Sequence, residues 1–364
     1  MIIFAHLLND ASGSPRVLKN VIEVALKHQI NCKLFLGYGG KERESSGLLG
    51  QMTVPKKRYY YRFLSPLLAR LALYSLSQLL LFCSMMMDKD ARHARVVYVN
   101  TLLPVGAMLF GAVFRKRVVV HIHELELKPH AFHNLILLIT RKCADRALFV
   151  SKAQAETFDL AQFKSWGVIH NGYDPAILEP AGDRESIKQG FEVLMLASLR
   201  DFKGIPAFLK LADHLSEEPE FHFTLVANED PEVVAEFIET HARPNLTIVG
   251  RPNSTGPYYR ASDLVINLSF PDQFIETFGL TLVEAMAFGK PVIAPPIGGP
   301  TEIVDDGENG FLISSYELDS IIARIKELQS DQAKYERFAR SAKRNAKRFS
   351  PEAFATAMLQ EISL

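Results

Sequence analysis

The sequence predicts an α/β protein made of two doubly wound parallel-sheet domains, on three observations. The chain has 364 residues, where an ordinary domain has roughly 100–200, so two domains are the default. Short apolar runs alternate with longer stretches of helical period, as in parallel strands buried on both faces. The runs are also too numerous for one ordinary open sheet.

In chain order, strand-like runs at 2–7, 32–36, 96–100, 118–121, 147–150 and 168–170 build the first domain. Those at 193–197, 221–226, 246–249, 264–268 and 292–294 build the second. Over 171–190, Asn171-Gly172, Asp174-Pro175, Glu179-Pro180 and Gly182 break the regularity. The expected domains are therefore 1–171 and 172–349. A basic helix is expected over 339–348. Ser350-Pro351-Glu352 then caps and opens a last helix, about 350–364, that packs back on the first domain.

Composition narrows the function classes. Hydrophobic residues make up 48% of the chain and charged ones 23%, enough for a core and too apolar for a disordered chain. The 41 Lys and Arg match 41 Asp and Glu, which argues against a general nucleic-acid binder. Yet residues 1–170 hold 23 basic and 11 acidic side chains, a net of +12, and residues 171–364 carry the opposite −12. That split points to two bodies, one of them facing an anionic surface. Cys32, Cys83 and Cys143 lie far apart, which fits a reducing compartment and excludes a disulfide framework or a cysteine zinc site. The opening MIIFAHLLND lacks a basic flank and ends in Asp, so it reads as a buried strand rather than a signal peptide.

Residues 63–87 carry one charge, Arg70, and follow Lys56-Lys57-Arg58-Tyr59-Tyr60-Tyr61-Arg62. The stretch is long enough for a bilayer span of roughly 20 residues. Arg70, Pro66 and the strand-like runs on both sides argue against one. Two readings stay open. One is a crossover helix within the fold. The other is a peripheral contact with an anionic membrane through about 56–87, its Lys, Arg and Tyr among the headgroups.

The densest chemical signal is 274–312, FIETFGLTLVEAMAFGKPVIAPPIGGPTEIVDDGENGFL. Gly279 opens a short helix, 280–288, and Gly289 stops it before Lys290-Pro291. A loop entering a helix presents free N–H groups and the positive dipole end, a phosphate site. Glu276 stands just outside that end and Glu284 one turn inside. Carboxylates accept paired hydrogen bonds from vicinal hydroxyls, so two of them flanking a phosphate nest suit a sugar nucleotide. Taken alone, they are equally a helix-start anion and a solvated face charge.

Glu276 and Glu284, with seven residues between them inside ETFGLTLVEAMAFGKPVIA and followed by GGPTEIVDDGENGFL, resemble the signature of family 4 of the retaining glycosyltransferases. That family has the GT-B fold, two Rossmann-like domains facing a central cleft. Weaker matches run along the chain. VIHNGYD at 168–174 resembles the interdomain strand and turn, and Ser198-Leu199-Arg200-Asp201-Phe202-Lys203-Gly204 resembles the basic diphosphate loop. Ala144-Asp145-Arg146 through Val150-Ser151-Lys152 resembles a strand ending in serine before a helix, and Asp263 matches an acidic position before a strand.

The resemblance implies roles. Arg200 and Lys203 would grip the donor diphosphate and stabilise the charge it gains on leaving, within the loop that Ser198 opens. Glu284 would hold the nucleotide ribose and Glu276 the transferred sugar. Thr277, Phe278, Gly279 and Leu280 would offer backbone groups, and the base would lie near Gly250 and Arg251. The physics agrees for the cations: they follow an apolar strand, at the sheet edge where α/β ligands bind, and fixed positive charge lowers such a barrier. The bland alternative is a solvated loop pair. His121-Ile122-His123-Glu124 follows the strand near 118–121, and the resemblance places His123, rather than His121, by the reacting sugar; otherwise it is a structural histidine. In NDASGSP at 9–15, Gly13 allows close approach of phosphate or acceptor, although family members commonly have two adjacent glycines where this chain has Gly13-Ser14.

The implied function is retaining transfer of a sugar from a nucleotide-sugar donor to a hydroxyl acceptor. A lipid-linked or cell-surface polysaccharide or glycolipid precursor at the cytoplasmic face of the membrane is the expected acceptor. The rivals are a GT-B-fold sugar-nucleotide epimerase and a non-catalytic nucleotide-sugar-binding subunit. No cofactor and no metal are expected: no Asp-x-Asp sequence stands in a persuasive loop, and Asp305-Asp306 reads as a solvated turn. Ala227-Asn228-Glu229-Asp230 replaces the Gly-x-Gly turn common in the family, so the base stays open, and 11–95 resembles nothing that names the acceptor.

Overall fold

The computed structural model describes residues 1–9, 13–38, 48–61, 66–179 and 190–363. It divides into two compact units, Met1–Asn171 with Phe354–Leu364, and Gly172–Ala353. The middle of NDASGSP at 10–12, Arg62, and Pro180 and Gly182 lie outside the described residues.

The first unit runs β1 (Ile2–His6), α1 (Gly13–Lys27), β2 (Cys32–Tyr38), β3 (Lys56–Tyr60), α2 (Leu67–Met87), α3 (Lys89–His93), β4 (Val96–Asn100), α4 (Val105–Val113), β5 (Arg117–Ile122), α5 (His130–Cys143), β6 (Arg146–Phe149), α6 (Lys152–Ala155) and β7 (Trp166–Val168). Its strands form one parallel sheet in the order β3-β2-β1-β4-β5-β6-β7. β1 is buried at every residue because both faces are covered. Alternate side chains serve opposite cores: Ile3 and Ala5 pack with α2, α4 and α5, while Ile2 and Phe4 pack with α1.

The second unit contains β8 (Phe191–Ala197), α7 (Ile205–His214), β9 (Phe221–Ala227), α8 (Pro231–His241), β10 (Leu246–Val249), α9 (Gly256–Ala261), β11 (Leu264–Ile266), α10 (Leu280–Ala287), β12 (Val292–Ala294), α11 (Pro300–Ile303), β13 (Gly310–Leu312), α12 (Leu318–Ser330) and α13 (Gln332–Asn345). Its parallel sheet runs β10-β9-β8-β11-β12-β13. Counted from its own first strand this is 3-2-1-4-5-6, the Rossmann order, and the first six strands of the other unit repeat it. The last helix, α14 (Pro351–Ile362), buries Phe354, Met358 and Ile362 in the core of the first unit beside α1. Ser350 caps it, its hydroxyl accepting from the Ala353 N–H at 3.2 Å.

Three elements differ from expectation. The Lys56–Tyr60 stretch, which the sequence did not assign to a strand, is one. It forms strand β3, with Tyr59 and Tyr61 buried and the Tyr59 hydroxyl donating to the His6 carbonyl at 2.9 Å. Strand β7 lies two residues before the expected 168–170. The basic helix starts at Gln332, not 339, because the Asp331 side chain caps it by accepting from the Lys334 N–H at 2.9 Å, and its last residues pass into a 3₁₀ turn, Ala346–Phe349.

Candidate active site

In a doubly wound sheet, ligands bind beyond the strand C-termini where the order reverses. In the second unit that point lies between β8 and β11. The chain leaving β8 passes Ser198 and makes a 3₁₀ turn over Asp201–Lys203. Gly204 ends the turn at φ 86, and a Cβ there would lie 2.0 Å from the Leu268 carbonyl oxygen, so glycine alone fits. Arg200 and Lys203 are thereby fixed on one turn, where the Lys203 N–H donates to the Arg200 carbonyl at 2.9 Å.

The Lys203 ammonium lies 3.0 Å from Glu276 Oε2 and 3.6 Å from the centre of the Phe274 ring, which stacks on Phe202. Asn267, leaving β11, reaches the same carboxylate oxygen with its amide at 3.5 Å. Lys203 and Glu276 are each 21% exposed, so the pair is partly screened yet reachable. Arg200 is exposed and has no ion-pair partner among the described residues, which leaves its guanidinium for an anion. The structure thus brings together the predicted Lys203 and Glu276, with Arg200 on the same turn.

Glu276 leads to Gly279, at φ 105, which opens α10. The Glu276 carbonyl accepts from the Gly299 N–H at 2.8 Å, and a Cβ on Gly299 would collide with the Phe278 backbone at 2.3 Å. The two loops therefore lock backbone to backbone. Phe278 is buried against Phe349, while Thr277 and Leu280 are half-buried. Glu284 is not a solvated face charge: it is 3% exposed, and its Oε2 accepts from the Tyr259 hydroxyl at 2.6 Å. Arg251 lies beyond β10, its Nε donating to Asn228 Oδ1 at 2.9 Å, so the Asn228 turn holds this arginine. Asp263 sits at the opposite strand end, where Oδ2 accepts from the Glu192 N–H at 2.9 Å, a strut rather than a ligand group.

In the first unit the matching switch point lies between β1 and β4. Gly13 opens α1 there and is exposed, with nothing within 4 Å of an added Cβ. Buried Asn100 ends β4, and its amide donates to the Ser14 carbonyl at 3.1 Å. A carbonyl only accepts, so Asn100 Oδ1 must face His123 Nε2, 3.0 Å away, and that nitrogen carries the proton. His123 Nδ1 is then the basic nitrogen. Burial, with the His121 and His6 rings nearby, holds His123 well below the usual histidine range, so it is neutral. His121 is fully buried, its Nδ1 2.6 Å from the Tyr98 hydroxyl and its Nε2 without a partner, and burial lowers its pKa to about 3. Next in line, Glu124 accepts from the N–H groups of His123 at 3.1 Å and Leu102 at 3.3 Å. Burial outweighs these bonds and raises its pKa. Thr101 turns the chain between them at φ 75, a strained value for a β-branched residue.

Sequence reasoning missed Asn267, Tyr259 and Asn100, and met Phe274 and Asn228 only as members of a motif and a turn. Only the sheet order would have exposed two of them, since Asn267 directly follows, and Asn100 ends, the fourth strand of its sheet.

Residues 182–345 match the family model described as glycosyl transferases group 1. The match lies within the second unit. Among similar proteins, a D-inositol 3-phosphate glycosyltransferase of Rhodococcus opacus (strain B4) is 37% identical over 109 residues, 30% of the chain and 24% of that protein. A poly(glycerol-phosphate) alpha-glucosyltransferase of Bacillus subtilis (strain 168) is 24% identical over 216 residues, 57% of the chain and 31% of that protein. The chain matches a third or less of the length of these curated relatives. Among solved structures, Anabaena HepE in complex with UDP and glucose superposes with a TM-score of 0.78 at 22% identity, covering 100% of this chain and 99% of that one. The chain shares that GT-B fold.

Proposed function

We propose that the protein is a retaining glycosyltransferase that moves a sugar from a nucleotide-sugar donor to a hydroxyl of a lipid-linked or cell-surface polysaccharide or glycolipid precursor, on the cytoplasmic side of the membrane. One observation carries this reading: Lys203 and Glu276, paired at 3.0 Å at the sheet's switch point, stand beside an unpaired Arg200. Arg200 and Lys203 meet the donor diphosphate and oppose the negative charge that grows as the sugar–phosphate bond breaks, without a metal. Glu276 accepts hydrogen bonds from the sugar's hydroxyls, and Glu284, set by Tyr259, accepts from the ribose. His123, neutral with a basic Nδ1, lines the acceptor half. The departing phosphate takes the acceptor proton, so the new bond forms on the face the old one leaves.

Anabaena HepE, which shares the fold, is known in complex with UDP-glucose, and that makes UDP-glucose the first donor to try. A thermal-shift screen of UDP-, GDP-, dTDP- and ADP-sugars should show one donor raising the melting temperature. Arg200→Ala and Glu276→Gln should each cut transfer by about 10²–10³-fold with that donor, and undiminished transfer in both would sink the proposal. Following the donor alone by NMR tests the epimerase rival, which converts it without acceptor.

A further inference from the structure

Helix α2 turns most of its leucines outward. Its packing face carries Tyr74, Leu81 and Met85 together with Ser77, fully buried, and Gln78, whose Oε1 accepts from the Gly106 N–H on α4 at 3.1 Å. A Cβ on Gly106 would lie 2.2 Å from the Gln78 carbonyl, so the two helices cross backbone to backbone. Polar side chains and glycine at a helix crossing, with leucines turned outward, is the arrangement of helices whose outer medium is apolar. Leu68 is 82% exposed, Leu79 58% and Met87 70%.

The surface continues beyond α2. Helices α2, α4 and α5 lie side by side over one sheet face. On the neighbours, Val113 of α4 is 64% exposed, and Leu135 and Leu138 of α5 are exposed. No described part of the chain covers them. Ordinary surface helices of this protein look different: α13 presents Lys334, Glu336, Arg337 and Arg340 within two turns. Across Leu67–Met87, Val105–Val113 and His130–Cys143 the only charged side chains are Arg70, Arg141 and Lys142, all basic. The exposed Arg115 follows α4 directly, while the acidic Asp88 and Asp90 beyond α2 are tied to Lys33 at 2.7 and 2.9 Å.

We infer that the outer face of α2, α4 and α5 docks on an anionic lipid surface. Apolar side chains enter the headgroup boundary, and Arg70, Arg115 and Lys142 meet the phosphates. Helix α2 lies along this surface rather than across it, because β3 before it and β4 after it belong to the same sheet. The inference deepens the membrane-side reading above, but its test needs neither donor nor acceptor, so it stands or falls apart from the transfer activity.

The full chain is floated with protein-free vesicles of phosphatidylcholine, or of equal parts phosphatidylcholine and phosphatidylglycerol. It should rise with the anionic vesicles and bind neutral ones roughly tenfold more weakly. Binding should fall at about 1 M salt. The double variant Leu79→Glu/Leu138→Glu should lose roughly tenfold at unchanged melting temperature, since both sites are exposed. Lys142→Glu/Arg115→Glu should lose selectively on anionic vesicles. Wild type left at the bottom of the gradient, or full binding by both variants, overturns the inference. So does a wild-type dimer that Leu79→Glu/Leu138→Glu converts to monomer, which would assign the face to a second copy.

Discussion

At the residue scale, the pair at 3.0 Å between Lys203 and Glu276 sets two roles at once. Lys203 also rests on the Phe274 ring at 3.6 Å, so it stays in place if the carboxylate is lost. Glu276→Gln should therefore lower kcat more than it weakens donor binding, which calorimetry and steady-state rates would separate. Tyr259→Phe leaves the buried Glu284 short of one charged hydrogen bond and should cost about 1–3 kcal/mol, read from the melting of the second unit. His121 titrates in the same sense as a salt-bridged carboxylate, because folding lowers the pKa of both. Its pKa falls from 6.5 to about 3 on folding, so the unfolded chain binds the extra proton between those values. Stability is then full above about pH 6.5 and lost as the pH drops, by on the order of 2 kcal/mol at pH 5. The melting temperature of the first unit should decline over that window; a flat profile would contradict it. Glu276, Lys203 and Arg200 were legible because local sequence carries their chemistry. Tyr259 and Asn100 were not, because each acts on a partner more than 20 residues away, and only the folded register shows which.

At the element scale, the strands that the sequence shows best are the buried ones. β4, β10 and β12 match their apolar runs residue for residue. β3 escaped detection because it is an edge strand of lysine, arginine and tyrosine, and polar edges are how a sheet avoids pairing with a stranger. β13 escaped because it opens on Gly310, straight after the turn residues Asp305-Asp306-Gly307-Glu308-Asn309. For α2, the sequence left core and membrane face as alternatives, and a mean over its apolar residues could not separate them. The fold adds which residues turn inward, Tyr74, Ser77, Gln78, Leu81 and Met85. The Gly204 turn offers a sharp test of the second unit: Gly204→Ala adds a methyl 2.0 Å from the Leu268 oxygen at φ 86. It should cost on the order of 3 kcal/mol in the melting of that unit and abolish donor-induced stabilisation.

At the scale of the whole molecule, α14 is the element whose removal should divide the two units' behaviour. Phe354, Met358 and Ile362 lie buried in the first unit, and Glu361 takes Arg146 in a paired contact at 3.0 and 2.6 Å. Three such side chains contribute about 5 kcal/mol. Truncation after Ser350 should lower the melting of the first unit by about 10–20 °C and spare the second, as differential calorimetry would resolve. The same helix has a consequence during synthesis. The second unit is continuous from Gly172 to Ala353, but the first must wait for residues from Phe354 onward. A nascent chain emerging N-terminus first can thus finish its later half before its earlier one. Until then the apolar groove of α1 stands open on the ribosome, so a chaperone that shields it should matter most after residue 171 has already emerged.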